Sequence, residues 1–317
     1  MPDPLLYVQA MVSAASVSAL CMLAMVATRR TARDAWLNSA CVSGIGFGLA
    51  VGYYVLSLHL AWPPANALDR FLTIVIPVAL GIELLAGFPC VPSWGAWFLR
   101  IGLTATMPRI LLHGSVYLSG YDSDWPLWRT NTALAVCAVL LTGVWALLAL
   151  LSKRSPGVSI SLALCLTIQC AGLTVMMAGY IKGGAAALPL VATLMATTIA
   201  ARLISKRFGT VANDRVLAIT GIGVVGLFGL LFIGHFFGRL STGSALTMLL
   251  APLLCWATEM PLLRNRKPWL VGSLRLVLVA IPLAVLLGLA KRDFERDMVP
   301  LLGTDVRPPV MIQIVAE

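Results

Sequence analysis

Ten apolar runs, each of about 20 residues, account for most of the chain and limit the folds open to it. A helix needs about 20 apolar residues to cross the ~30 Å hydrocarbon core of a bilayer. Backbone groups in lipid must bond to one another, which favours helices. The runs are 5–28, 37–61, 71–91, 94–112, 130–151, 157–181, 185–204, 215–237, 241–263 and 269–290. The sequence predicts an all-α, polytopic transmembrane bundle of about ten helices, with a range of eight to ten.

The composition excludes most water-soluble classes of protein. Of 317 residues, 59% are apolar and only 11% are charged, whereas soluble domains carry about 25% charged residues. A soluble fold of this size would need a charged surface that the sequence does not supply. Soluble enzymes, nucleic-acid binders and disordered proteins are therefore excluded, and the lipid bilayer is the expected partner. We expect one transmembrane domain over 1–290 and a short polar tail over 291–317.

The positions of the basic residues predict how the chain threads the membrane. If the N-terminus lies outside, the loops 29–36, 92–93, 152–156, 205–214 and 264–268 face the cytoplasm. These loops and their flanks hold most of the loop Lys and Arg residues, which is the positive-inside pattern. This bias explains the net charge of +10 without a nucleic-acid partner. Compact loops favour a cell membrane, such as a bacterial inner membrane.

Two predicted hairpins each carry a Glu on the descending helix and an Arg on the ascending one. Glu83 and Arg100 are each about 8 positions, or about 12 Å of helical rise, from the turn at Pro92. Glu259 and Arg275 are spaced in the same way about the turn 264–268. An unpaired charge in mid-helix costs about 2.5–3.5 kcal/mol. We therefore expect two buried ion pairs, and the four residues are candidates for a solute or ion path.

Two other interpretations of these charges stay open. Each pair could fix the register of its hairpin and do nothing else. Each arginine could instead extend along the helix to reach the headgroups unaided. The second pair lies close to its basic loop, which favours these interpretations for Glu259 and Arg275. The short side chain of Glu83 cannot reach the headgroups, so Glu83 is the sharper functional candidate.

Three histidines end three of the predicted helices at the same outer face. His59, His113 and His235 lie there with acidic loop residues nearby, a combination that could bind zinc or copper or hold a haem. No two of them have the spacing of three or four residues that would place them on one helical face. We therefore expect no metal and no cofactor, and interpret them as ordinary interfacial side chains.

Small residues mark a close helix contact. Gly44, Gly48 and Gly52 recur every four residues on the second predicted helix. Such a face lets a neighbouring backbone approach closely. The partner helix could belong to the same chain, to a second copy in a homo-oligomer, or to another membrane subunit.

The sequence contains no signature of a known catalytic site. The nucleophile elbow GxSxG, the zinc motif HExxH and the phosphate-binding Walker A loop are all absent. The chain is therefore not predicted to be an enzyme, although loop residues could still serve a lipid-modifying reaction. The best interpretation is a carrier for a small solute or ion. The alternatives are a non-catalytic scaffold or complex subunit, and a membrane-embedded enzyme or haem- or metal-handling protein.

Overall fold

A computed structural model describes residues 4–27, 34–58, 62–119, 126–155, 157–208, 215–260 and 268–297. Throughout these residues the regular structure is helical and no strand is present, so the all-α prediction is confirmed. The ten main helical segments of the described residues overlap the ten predicted runs. They are α1 Pro4–Ala27, α2 Asp34–Val55, α3 67–86, α4 Ser93–Leu112, α5 Leu127–Arg154, α6 Ser159–Met177, α7 Ala187–Phe208, α8 Arg215–Phe237, α9 242–259 and α10 Pro268–Asp297. Two short helices, Val116–Ser119 and Ile181–Ala185, lie in connections.

Six helices within the described residues are long and apolar enough to cross a membrane. They span Pro4–Ala27, Trp128–Arg154, Ser159–Met177, Ile181–Lys206, Leu217–Phe237 and Trp269–Arg296. The span Ile181–Lys206 takes the short helix Ile181–Ala185 together with α7. This set is that of a multi-pass membrane protein. Among the other helices, α3 and α9 are each interrupted by non-α turns and α4 carries two arginines. The count of ten crossings and the external N-terminus stay predictions.

The apolar runs suggested that α3 and α9 are regular α-helices from end to end. The structure shows that they are not. In α3, a π-helical turn at Phe71–Val75 joins Ala67–Arg70 to Ile76–Ala86. Pro77 lacks an N–H and its ring would crowd the carbonyl of residue 73, a conflict that a wider turn relieves. In α9, Thr242–Leu250 continues as a 3-10 helix over Ala251–Glu259, which has Pro252 in its first turn.

Helix α8 forms the centre of the bundle. It packs against α2, α3, α5, α6, α7 and α9, and 94% of its most apolar window is buried. Its glycines make this packing possible: a Cβ at Gly223 would lie 2.4 Å from Leu164, and one at Gly229 would lie 2.1 Å from Phe71. The helices α1 and α10 lie at the outside of the bundle. In the most apolar 18-residue segment of each, only 22% and 17% of the residues, respectively, are buried. Their exposed apolar side chains suit contact with lipid.

The glycine face of α2 is in contact with two other helices of the same chain. A Cβ at Gly48 would lie 2.7 Å from the carbonyl oxygen of Ala14 on α1 and 2.6 Å from Thr193 on α7. Gly44 similarly faces α1, and Gly52 faces both helices. The close approach predicted for this face is therefore made within the chain. Contact of a second subunit with Gly44, Gly48 and Gly52 stays a prediction.

Candidate functional site

Glu83 and Arg100 form a buried, two-pronged ion pair between α3 and α4. Arg100 donates from Nε to Oε1 of Glu83 at 2.8 Å and from Nη2 to Oε2 at 2.9 Å. Their side chains are only 2% and 4% exposed, respectively. Parallel N–H···O bonds of this kind are among the strongest in proteins because both partners are charged. The pairing predicted from the equal depth of the two residues is therefore present.

Three other helices, α2, α5 and α8, surround this pair. Asn38 of α2 donates from its amide to the backbone carbonyl of Glu83 at 3.0 Å. The guanidinium of Arg100 lies 5.7 Å from the ring centre of Trp145 on α5 and 5.2 Å from that of Trp97 on α4 itself. Aromatic faces attract cations at such distances. On α8, the absence of a side chain at Gly221 leaves room for the carboxylate of Glu83.

A polar cavity of about 240 Å³ reaches the ion pair. It extends from the turn between α3 and α4, where Gly87 and Ser93 line it, to Glu83 and Arg100. Lys153, an exposed residue in the last turn of α5, also lines this cavity. The buried charges are thus connected to a space that a small polar solute can occupy.

The cavity also shows which helix ends share one end of the bundle. Its lining comes from the beginnings of α2, α4 and α8 and from the ends of α3 and α5. The predicted threading places the same five helix ends at the cytoplasmic side. These five helix ends therefore lie at the same end of the bundle, and the side of the membrane that they face stays a prediction.

The second predicted pair, Glu259 and Arg275, is also in contact but in a different setting. Nη2 of Arg275 donates to Oε1 of Glu259 at 2.7 Å, and Glu259 is 20% exposed. Arg275 also donates to three hydroxyls. These are Thr258 at 2.7 Å, Ser159 at 3.1 Å and Ser155 at 2.6 Å.

These bonds use Nε, Nη1 and Nη2 of Arg275, so this arginine binds α10 to α9 and to the turn between α5 and α6. Its side chain is 3% exposed. The interpretation that it reaches the headgroups unaided is therefore wrong, and the same holds for the buried Arg100. These hydroxyl partners were not predicted. Ser155 and Ser159 lie far along the chain, and the matched depth of two charges does not indicate that Thr258, next to Glu259, also binds the arginine.

The predicted histidine candidates do not form a ligand cluster among the described residues. There, no three His, Cys, Asp or Glu side chains lie together in a way that could hold a metal ion. His113 is exposed, and Nδ1 of His235 lies 2.9 Å from the carbonyl oxygen of Leu240. His59 lies outside the described residues, as do the acidic loop residues Asp122 and Asp124.

A second cavity, of about 300 Å³ and with a mixed polar and apolar lining, lies at the opposite end of α3. Asn66 and Asp69 line it from the start of α3, and Tyr180 and Lys182 line it from the connection between α6 and α7. Burial and the negative charge of Asp69 raise the pKa of the Tyr180 hydroxyl. The two ends of α3 thus each contribute an acidic side chain to a cavity.

Fold and site together define an all-α, multi-pass membrane protein in which a polar cavity ends on a buried ion pair. A scan against protein-family models, a search of curated proteins and a search of solved structures found no match to this chain. The activity must therefore be inferred from the geometry.

Proposed function

We propose that this protein is a carrier for a small solute or ion, and that the cavity at Glu83 and Arg100 is its binding site. The observation that carries this proposal is that the cavity reaches the buried pair. Ionisable side chains within membrane helices are costly, and those that face a polar cavity characteristically mark the path of a substrate or ion. A pair with a purely structural role would need no such opening.

The construction of α3 supports the same proposal. Asp69, near one end of the helix, lines one cavity, and Glu83, near the other end, lines the second. Between them lies the π-helical turn Phe71–Val75. Interrupted helices are common at the binding sites of carriers, and π-turns are frequent at functional sites. Helix α3 is therefore the element that connects the two openings.

The proposal includes the predicted topology. Ten helices cross the cell membrane, which we take to be a bacterial inner membrane, and the N-terminus lies outside. The cavity at Glu83 then opens to the cytoplasm, and the cavity at Asp69 opens to the exterior. Because the two cavities open at opposite faces of the membrane, a solute can be exchanged with one side and then with the other.

Transport by purified protein in lipid vesicles tests this function. The entry of small anions, cations and neutral solutes is measured by vesicle swelling, with a permeant counter-ion for the charged solutes. We expect entry above that of protein-free vesicles for one charge class. Glu83→Gln should abolish this entry. Glu259→Gln is the matched control. It removes a charge from the other Glu–Arg pair, whose arginine contacts hydroxyls of the protein, and this variant should still admit the solute.

Two results would contradict the carrier proposal. The first is wild-type protein in sealed vesicles that admits no class of solute. The second is a Glu83→Gln variant, correctly folded by size-exclusion chromatography, that transports as well as wild type.

A further inference from the structure

We infer that the solute is a small monocarboxylate, and that it replaces Glu83 on Arg100 when Glu83 takes up a proton. This inference rests on the proposed function of the same site, and it names both the substrate class and the coupled ion. Four features support it: the shape of the arginine fork, the charges that line the cavity, the cavity's size and the balance of the exchange.

The guanidinium of Arg100 already holds a carboxylate. Its Nε and Nη2 bind the two oxygens of Glu83 at 2.8 and 2.9 Å. The planar fork of arginine matches the planar carboxylate, and a second carboxylate fits the same two donors. Because Arg100 lines the cavity, a solute in the cavity can reach this guanidinium.

The charges of the cavity favour an anion. Among its described lining residues, the charged ones are Glu83, Arg100 and Lys153. Their formal sum is one positive charge while Glu83 is ionised, and two when it is protonated. Asn38 and Ser93 add neutral polar groups to the lining. The starts of α2, α4 and α8 also line the cavity, and helix N-termini attract anions. The ends of α3 and α5 oppose this effect, although the α5 end carries Lys153.

The size of the cavity restricts the solute. The cavity has a volume of about 240 Å³. That space suits a carboxylic acid of a few carbon atoms. It is smaller than the pockets of roughly 300–1,000 Å³ that hold drug-sized ligands.

The exchange balances in atoms and charge. A hydronium ion that enters the cavity gives its proton to one carboxylate oxygen of Glu83 and remains as water, and the two charge-assisted bonds from Arg100 break. Arg100 then donates the same two bonds to the carboxylate of the solute. One anion and one proton therefore enter the site together, and the net charge of the occupied site is unchanged.

The surroundings leave Glu83 as the group that takes this proton. Arg100 on α4 is the charged group in contact with it, and Lys153 on α5 lies at the opening. The groups that face it from α2, α5 and α8 carry no ionisable side chain: they are the amide of Asn38, the indole of Trp145 and the backbone of Gly221.

The test uses the full chain, purified in detergent, with sodium acetate as the probe and acetamide as its uncharged counterpart. Binding is followed by tryptophan fluorescence, because Trp97 and Trp145 flank Arg100. Proton uptake is followed in unbuffered solution with an indicator dye. We expect acetate to bind more tightly as the pH falls, with about one proton taken up for each acetate bound. Acetamide should not bind.

Variants separate the roles of the two side chains. Glu83→Gln imitates the protonated state, so it should bind acetate without proton uptake and without dependence on pH. Arg100→Gln should not bind acetate. Glu259→Gln should keep the proton uptake of wild type. Equal binding of acetate and acetamide by wild type, or acetate binding without proton uptake, would overturn the inference without relying on any variant.

The two proposals can fail separately. If acetate does not bind but vesicles admit another solute in a manner that depends on Glu83, the carrier stands and the monocarboxylate inference is wrong. If acetate binds with proton uptake but no vesicle experiment shows its entry, the site stands and the carrier proposal is wrong.

Discussion

Gly221 of α8 lies directly against the carboxylate of Glu83. A methyl group at position 221 would come within 2.7 Å of Oε1 of Glu83 and within 2.9 Å of Cζ2 of Trp145. The ion pair therefore occupies space that exists because residue 221 has no side chain.

Replacement of Gly221 by alanine is expected to disturb the pair. Added bulk in a well-packed interior typically costs about 1–3 kcal/mol, so the variant should unfold at a lower temperature in detergent. Gly143→Ala is the matched control, because a Cβ there would have no neighbour within 4 Å. Equal thermal stability of the two variants would show that the packing around Glu83 is looser than described.

The buried pair should show strong coupling in a double-mutant cycle. Removal of one partner leaves an uncompensated buried charge, which typically costs about 3–5 kcal/mol. Glu83→Ala and Arg100→Ala should each destabilise the protein, and the double variant should lose less than the sum of the two. Thermal unfolding in detergent measures all four proteins. Additive losses would contradict an interaction between the two side chains.

Arg275→Lys is expected to destabilise the protein although the charge is kept. Arg275 donates to Thr258, Ser159, Ser155 and Glu259 from three nitrogens, and a single ammonium group cannot reproduce this fork. The comparison is Lys291→Ala on the same helix. Lys291 and Glu295 form an exposed pair, with side chains 68% and 55% exposed, and such pairs contribute little. A lower melting temperature should appear for the Arg275 variant alone.

Gly48→Ala should weaken the packing of α2 against α1 and α7. A Cβ at Gly48 would lie under 3.0 Å from both helices, whereas one at Gly46 would lie 3.4 Å from the flexible end of Leu80. We therefore expect lower thermal stability for Gly48→Ala than for Gly46→Ala. Molecular mass in solution is measured alongside. Dissociation of an oligomer by Gly48→Ala without any loss of stability would assign this face to a subunit interface instead.

Cys90 offers a test of the threading with a native residue. It is exposed and lies in the turn between α3 and α4, which is predicted to face the cytoplasm. A membrane-impermeant maleimide should not label it in intact cells and should label it once the membrane is permeabilised. Cys90→Ser identifies the signal from this residue. Labelling of Cys90 in intact cells would reverse the proposed orientation.

The two ion pairs could be predicted from the sequence because helix rise and turn position alone fix the depth of a residue in a hairpin. The neighbours of the pairs could not be predicted in this way. Trp145 and Gly221 reach Glu83 and Arg100 from helices far along the chain, and Ser155 and Ser159 reach Arg275 likewise. Their positions depend on how helices pack laterally, about which an apolar run carries little information.

The glycine pattern was informative in part. The spacing of Gly44, Gly48 and Gly52 predicted that another helix approaches this face closely. It did not predict which helix, because small residues allow the close approach of any partner. The local departures in α3 and α9 were also missed. Pro77 follows the π-helical turn and Pro252 lies in the first turn of the 3-10 helix, and hydropathy does not register the loss of a backbone donor.

The hydrogen bonds of Arg275 have a consequence for the assembly of the bundle. Its acceptors Ser155, Ser159 and Thr258 all precede α10 in the chain, so they leave the ribosome before the arginine does. Every hydroxyl of the described residues that accepts a hydrogen bond from Arg275 is therefore synthesised before α10. With the opposite order of synthesis, the guanidinium would lack these partners in the hydrocarbon until they were made.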